Sequence, residues 1–298
     1  MTTTSNHLES MAQTLEATGD YRILRRLKLR PRITPPPGTP VRLGLMVDVE
    51  TTGLDPQRDE IIELAMTPFT YGLDGAVFSV EESFQGLRQP SEPISPEITA
   101  ITGITSEMVA GKVIDFAEVA RFAAPASLVI AHNAAFDRRF LERFSDVFST
   151  KPWACSFSQI DWAAEGFEGA KLGYLAQAAG FFYDRHRAMN DCLAAIELLA
   201  MRLPRSGVTG LSLLLDGART AAWRIWAENS PFDLKDVLKA RGYRWNGDPG
   251  PQPRAWYIDV PEVQFEAELR FLRTEIYRYE ADLPIRRIDA YDRFSDRI

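Results

Sequence analysis

Two carboxylates two positions apart, Asp48 and Glu50, interrupt the otherwise apolar run Leu43-Gly44-Leu45-Met46-Val47-Asp48-Val49. With β-branched Val47 and Val49, that run reads as a strand buried on both faces. Period-two alternation then puts both carboxylates on one face, at the carboxyl end of the strand. Burying one ionised carboxylate costs several kcal/mol, and two side by side repel as well. A divalent cation relieves both penalties, and hard Mg²⁺ or Mn²⁺ suits oxygen ligands. An exposed edge strand with polar residues at alternate positions is the other reading, and the apolar run from Leu43 argues against it. Thr51-Thr52-Gly53 reads as a tight turn in which the missing Cβ of Gly53 lets backbone approach a ligand.

Three further candidates lie far along the chain. Leu128-Val129-Ile130-Ala131 predicts a strand that ends at Asn133, an N-cap for a helix with Phe136, Phe140, Leu141 and Phe144 on one face. Asp137 falls in its first turn, where the helix dipole favours a carboxylate; taken alone such an acid is ordinary. A second helix is predicted from about Arg187 to Met201, with Cys192, Leu193, Ile196, Leu199 and Ala200 facing inward. Asp191 is near its N-terminal end and His186 lies on the loop before it. A lone histidine is usually a surface or core residue, but one five positions ahead of an acid is a better candidate for proton transfer. His7 has no such context, and His132 reads as structural or supporting.

Asp48-Val49-Glu50-Thr51-Thr52-Gly53-Leu54 resembles the first motif of the DEDD 3′–5′ exonuclease superfamily, which includes the epsilon subunit of bacterial DNA polymerase III and ribonuclease T. Ala131-His132-Asn133-Ala134-Ala135-Phe136-Asp137 resembles the second motif, and His186-Arg187-Ala188-Met189-Asn190-Asp191-Cys192 the third, in its histidine (DEDDh) version. One D-x-E is a weak signal; three motifs in the right order are a strong one, and the resemblance covers roughly residues 41–204.

The resemblance implies an α/β fold, a ribonuclease H-like exonuclease domain with a mixed sheet, and a site holding two divalent metal ions, Mg²⁺ or Mn²⁺. Asp48 would bridge the two ions, Glu50 and Asp191 would complete the site of the ion that carries the attacking water, and Asp137 would act on the second, through water. His186 would take a proton from the nucleophile, a task that suits an imidazole. Thr51 and Leu54 would hold the terminal sugar and base, with Thr52, Gly53 and Asn133 as further substrate-binding candidates. Ile98-Thr99-Ala100-Ile101-Thr102-Gly103-Ile104-Thr105 resembles the segment beside the terminal nucleotide, except that Thr102 stands where the family often has histidine. The same stretch also reads as a helix end capped by Gly103, with a new start at Thr105 or Ser106. The expected partner is a single-stranded nucleic acid 3′ end, with DNA as the strand and nucleoside 5′-monophosphates as products. RNA-end trimming and a polymerase-associated, non-catalytic role are the alternatives. Filled positions 48, 50, 137, 186 and 191 argue against a dead scaffold.

The elements that must position these residues fall into three stretches. Residues 1–40, a basic arm and Pro-rich linker, carry a net +3; residues 41–204, the exonuclease-like domain, carry −10; residues 205–298, a small C-terminal α+β domain, carry zero. Acidity is therefore concentrated around the expected metal site, and it argues against tight, non-specific duplex binding. An amphipathic helix is expected over Leu8–Glu16. In the arm, Arg22, Arg25, Arg26 and Arg30 suit either phosphate contacts or a solvated helix face whose leucines pack on the core, the second being favoured. Strands are expected over Glu60–Tyr71 and Ala76–Phe84, completing an antiparallel meander, and over Trp153–Ile160; a helix over Lys171–Ala179 closes at Gly180. Beyond Pro204 the pattern predicts a strand Thr220–Glu228, a helix Asp233–Arg241, a hairpin through Trp245 and Trp256 across a turn opening Asn246-Gly247-Asp248-Pro249-Gly250, a helix Glu262–Glu280 and a frayed end about 288–292. Four of the six tryptophans lie there among arginines and lysines, which suits a stacking platform for a strand or the core of a small domain. A homodimer or protein-partner surface through residues 205–298 is a third use. No apolar run is long enough to span a membrane, the N-terminus does not read as a secretory signal, and Cys155 and Cys192 read as buried thiols of a cytoplasmic protein.

Overall fold

The computed structural model describes residues 2–247 and 252–298; Asp248, Pro249 and Gly250 of the expected turn lie outside the described residues. Along the chain, helix α1 (Thr2–Glu16) leads into an extended arm containing β1 (Arg25–Arg26), followed by β2 (Val41–Thr51), β3 (Ile61–Gly72), β4 (Val77–Val80) and β5 (Phe84–Leu87). Strand β2 pairs antiparallel with β3 along its length and parallel with β6 (Leu128–Ala131) on its other side. Strand β7 (Trp153–Cys155) adds parallel to β6, giving a mixed sheet of order β4-β3-β2-β6-β7, with β5 sharing the outer edge of β3.

The expected third meander strand is split into β4 and β5, and the break falls opposite Pro68, which has no N–H for the ladder. Likewise β7 stops at Cys155 rather than reaching Ile160: its partner β6 ends at Ala131, and the chain turns there, with the Gln159 side chain accepting the Cys155 N–H at 2.8 Å.

Strand β2 is apolar on both faces because both are covered. Leu45, Val47 and Val49 face a core closed by α4 (Phe116–Ala123), which follows α2 (Pro96–Thr102) and the single turn α3 (Ser106–Val109), and by α5 (Ala134–Phe144). Met46 and Ala65 face the other core, beside α6 (Leu172–Ala178), the short β8 (Phe181–Phe182), α7 (Ala188–Ala200) and α8 (Gly210–Arg219). In α7, Cys192, Ile196, Leu199 and Ala200 are buried as expected, while Leu193 is only half-buried, against the arm.

The arm is neither a helix nor a free basic surface. Its alternating basic and apolar residues have the period of a strand, and β1 pairs parallel with β8. Arg22 donates to the Gln177 and Ala178 carbonyls, Arg25 pairs with Glu9 and Glu16, Arg26 with Asp184 and Arg30 with Glu197. The four arginines considered for phosphate contacts are thus engaged within the chain.

Beyond residue 204 the first element, α8, buries Leu211, Leu214, Leu215 and Ala218 in the core of the first sheet, so that core extends past the expected boundary. A second, antiparallel sheet follows, with order β10-β11-β9-β12: β9 (Ala222–Ala227), β10 (Arg244–Trp245), β11 (Trp256–Pro261) and β12 (Ile285–Ile288), joined by α9 (Lys235–Ala240) and α10 (Glu262–Phe271). Trp223 and Trp256 pack on its core, Trp226 is buried, and Trp245 is 54% exposed. Arg224 and Arg244 both pair with Asp259, and Arg241 pairs with Glu268.

The end expected to fray is instead ordered against the first sheet. The Ala290 carbonyl accepts the Trp153 N–H at 2.7 Å, extending the edge beyond β7. The guanidinium of Arg138, fully buried, donates to the carbonyls of Tyr291 at 2.7 Å and Arg293 at 2.5 Å, and pairs with Glu142 at 2.6 Å. A buried cation needs that many acceptors, and they order the tail.

Candidate active site

Asp48 and Glu50 project from the same face of β2, as period two requires. Asp48 stands opposite Ala65, a small neighbour that leaves room, and Glu50 opposite Glu63. The register slips between Glu50 and Thr51, a bulge that ends the regular pairing beside these carboxylates. Asp191, one turn into α7, joins them: Asp48, Glu50 and Asp191 each offer an oxygen, and the three oxygens lie within 4.8 Å of one another. Asp137 approaches from α5. The parallel pairing of β2 with β6 ends at Met46, and beyond it the buried Asp137 carboxylate accepts the Val49 N–H at 3.2 Å.

Burial, and then the charges of Asp137, Asp191, Glu50 and Glu63, hold the Asp48 carboxyl well above the usual range. Burial and the charges of Asp191 and Glu63 push Glu50 up to about 8. Asp137 is pushed up to about 7 by burial, against the opposing backbone N–H groups. Asp191 is raised by burial, while the Tyr183 hydroxyl, donating to its Oδ1 at 2.8 Å, and the nearby His186 pull the other way. A half-buried, crowded, all-carboxylate donor set that holds its protons this tightly fits a hard divalent cation, whose charge would offset the repulsion.

His186 is exposed and left-handed, with φ 60°. His132, by contrast, is locked between Ser156 Oγ at 2.9 Å and the Ala170 carbonyl at 2.8 Å, and burial pushes it down to about 4; it is structural.

The substrate-binding candidates divide. Leu54 stands 83% exposed and with Pro56, Asn133, Phe136 and Arg139 lines a shallow pocket of about 210 Å³. Asn133 occupies the N-cap position of α5 as expected, but it is exposed and left-handed at φ 104° and its side chain makes no capping bond. Thr51 is buried and its hydroxyl donates to the Gly53 carbonyl, so that hydroxyl closes the turn. Thr52 bonds Asp59 and Glu60, also within the turn. The missing Cβ of Gly53 makes room for the Asp59 carboxylate, which would lie 2.5 Å from it, and not for a ligand. Thr102 is buried, donating to the Ile98 carbonyl and accepting the Ile104 N–H, at a helix end capped by left-handed Gly103; the capping reading describes this segment.

Three neighbours of the site escaped the sequence reading: Tyr183, Arg187 and Glu63. Glu63 carried a usable signal, since Ile61-Ile62-Glu63-Leu64-Ala65-Met66 sets an acid in an apolar strand just as Leu43–Val49 does.

Residues 45–199 match the family model described as Exonuclease, of the RNase T type. A PolC-type DNA polymerase III of Thermotoga petrophila is 35% identical over 180 residues, which is 60% of this chain and 11% of that protein. A DNA polymerase III subunit epsilon-like protein of Rhodobacter capsulatus is 35% identical over 179 residues, 56% of this chain and 25% of that protein. The chain therefore spans a quarter or less of the length of these two relatives. Among solved structures, exonuclease I of E. coli, in a zinc-bound complex with single-stranded DNA, superposes with a TM-score of 0.51 at 17% identity, over 74% of this chain and 63% of that one, a likeness of fold. No helix among the described residues is long and apolar enough to cross a membrane. With the family model matching more than half of its length, on a ribonuclease H-like mixed sheet, the chain belongs to the exonuclease family, in its DEDD 3′–5′ type.

Proposed function

We propose that this protein is a metal-dependent 3′–5′ exonuclease that removes nucleoside 5′-monophosphates from single-stranded DNA. The observation that carries this reading is the meeting of Asp48, Glu50 and Asp191 oxygens within 4.8 Å, from a strand and a helix far apart in sequence. Asp48, Glu50 and Asp191 would hold one divalent cation, Mg²⁺ or Mn²⁺, and Asp137 would serve a second. Such ions, when bound, supply charge neutralisation at the phosphate and a more acidic water. Tyr183 keeps the Asp191 carboxylate turned toward Asp48 by donating to its Oδ1. His186, exposed beside Asp191, receives the proton of the attacking water and returns it to solvent. Leu54 and the pocket between it and Asn133 present an apolar surface to the terminal base. The relatives named as DNA polymerase III support DNA rather than RNA as the strand.

The test is digestion of matched 5′-labelled DNA and RNA strands with Mg²⁺ or Mn²⁺. Stepwise shortening of DNA from the 3′ end, stopped by chelator, is expected; faster shortening of RNA would transfer the reading to an exoribonuclease, and no shortening of either would end it.

His186→Ala should lower kcat about 10²–10⁴-fold while KM changes little. Part of the loss should return at higher pH, where hydroxide replaces the base. A raised KM with unchanged kcat would make His186 a substrate contact instead. Asn is the more informative second variant, because it tolerates the left-handed backbone at this position.

A further inference from the structure

Glu63 is fully buried, yet none of the proposed chemistry uses it. It stands directly across the antiparallel pair from Glu50. Its two oxygens are committed: Oε1 accepts from Gln85 Nε2 at 2.7 Å and from Arg187 Nη2 at 2.9 Å, and Oε2 accepts from Arg187 Nε at 3.2 Å and from the Ala188 N–H at 3.0 Å. With its lone pairs taken up by donors, Glu63 is poorly placed to be a fourth metal ligand, and it lies outside the cluster of three oxygens.

All of these contacts but that from Gln85 come from the two residues that follow His186. Arg187 is held at both ends, its guanidinium by Glu63 and its backbone N–H by Asp191 Oδ2 at 3.2 Å. Ala188, whose N–H Glu63 also accepts, is the first residue of α7. A left-handed residue such as His186, φ 60°, persists only where its neighbours over-determine the backbone. The strand that carries Glu63 is in turn paired with β2 along its length, beside Asp48 and Glu50.

We propose that Glu63 is a positioning residue for the hydrolysis: through Arg187 and the Ala188 N–H it sets the start of α7 against β3, and so fixes where His186 and Asp191 stand relative to Asp48 and Glu50. The inference rests on the reading that His186 and Asp191 serve the reaction. The bidentate geometry is specific to a guanidinium, so lysine at 187 would not reproduce it.

The experiment compares the parent chain with Glu63→Gln, Arg187→Gln and the double variant, measuring thermal stability, kcat and KM on one labelled oligonucleotide, and the metal concentration that half-saturates the rate. Each single variant should lose about 10–100-fold in kcat, as supporting residues around metal sites do, with KM little changed. Arg187→Gln should also lose thermal stability, because it strands a buried carboxylate. The double variant removes both charges and should recover stability while kcat stays low. Recovery of kcat together with stability would make the pair merely structural and overturn the proposal. A rate restored in full by more metal would overturn it as well, by making Glu63 part of the metal site. Failure of the parent chain itself to shorten a 3′ end would overturn the exonuclease reading separately, since the positioning test is read only as a ratio to the parent.

Discussion

Asp48→Ala should abolish hydrolysis and, in chelator above neutral pH, raise the melting temperature. Both effects come from the same crowding. Asp48 is held well above the ordinary carboxylate range by burial and by four neighbouring acids, with Glu50 at about 8 and Asp137 at about 7. A carboxyl that binds its proton more tightly folded than unfolded stabilises the fold fully below its unfolded pKa, near 4, and that contribution is lost as pH rises through the folded pKa. The metal-free parent should therefore lose melting temperature as pH rises through about 7 and 8. Asp48→Ala removes the most crowded charge, so its decline should be shallower, by several degrees at about 2–4 °C per kcal/mol for a chain of this size. Mg²⁺ should stabilise the parent most at the alkaline end, where it no longer competes with protons. Calorimetry in chelator across this range, beside the nuclease assay, measures both; a variant that shortens DNA at the parental rate, or a parent whose stability rises with pH there, would refute the metal site.

A chain ending at residue 204 should fail to fold cooperatively, not merely bind long strands less well. It would lose α8, whose Leu211, Leu214 and Leu215 are buried in the core around α7, at about 1.5–3 kcal/mol each. It would also lose the Tyr291 and Arg293 carbonyls that satisfy the buried Arg138, and the Ala290 carbonyl on the Trp153 N–H. Stranding a buried cation costs further, and together these losses approach the roughly 5–15 kcal/mol that holds a typical domain. Circular dichroism melting of residues 1–204 checks this, and a sharp transition near the parental temperature would contradict it. The tail touches α5, which carries Asp137, so the second sheet is tied to the site by scaffolding. Of the cations among its tryptophans, Arg224, Arg241 and Arg244 are paired with acids, while Trp245 is exposed.

What was legible in the sequence is what local pattern controls. Asp48 and Glu50 show themselves because ionisable groups in a long apolar run are unusual, whereas Asp137 and Asp191, ordinary acids at helix starts when taken alone, are marked out by the motifs they complete. The hairpin through Trp245 and the helices of the second sheet follow from periodicity in the same way. Pattern does not reveal what fills a space: Gly53 is open to Asp59 and not to a ligand, and Thr102 spends its hydroxyl on its own helix. Nor does it reveal partners across distance. The arm's arginines look free until Asp184 and Glu197 arrive beside them, and residues 290–293 look like a polar end until the buried Arg138 is found drawing on their carbonyls as well as on Glu142. Helix α8 was available, with Leu211, Leu214, Leu215 and Ala218 at helical spacing.

The pairing of β2 has a consequence for the order in which the protein is made. Its partner β3 is adjacent in the chain, so this hairpin can form while most of the sequence is still unsynthesised. Strand β6, which pairs on the other side, comes some eighty residues later, and Asp191 later still. The edge at Trp153 and the guanidinium of Arg138 wait longest, for Ala290, Tyr291 and Arg293. A ribosome-bound chain that has already exposed all four acidic residues still carries an open sheet edge and an Arg138 paired with Glu142 but lacking its carbonyl acceptors. All four acidic residues are therefore synthesised before the contacts that close this sheet edge and complete the acceptors of Arg138 can form.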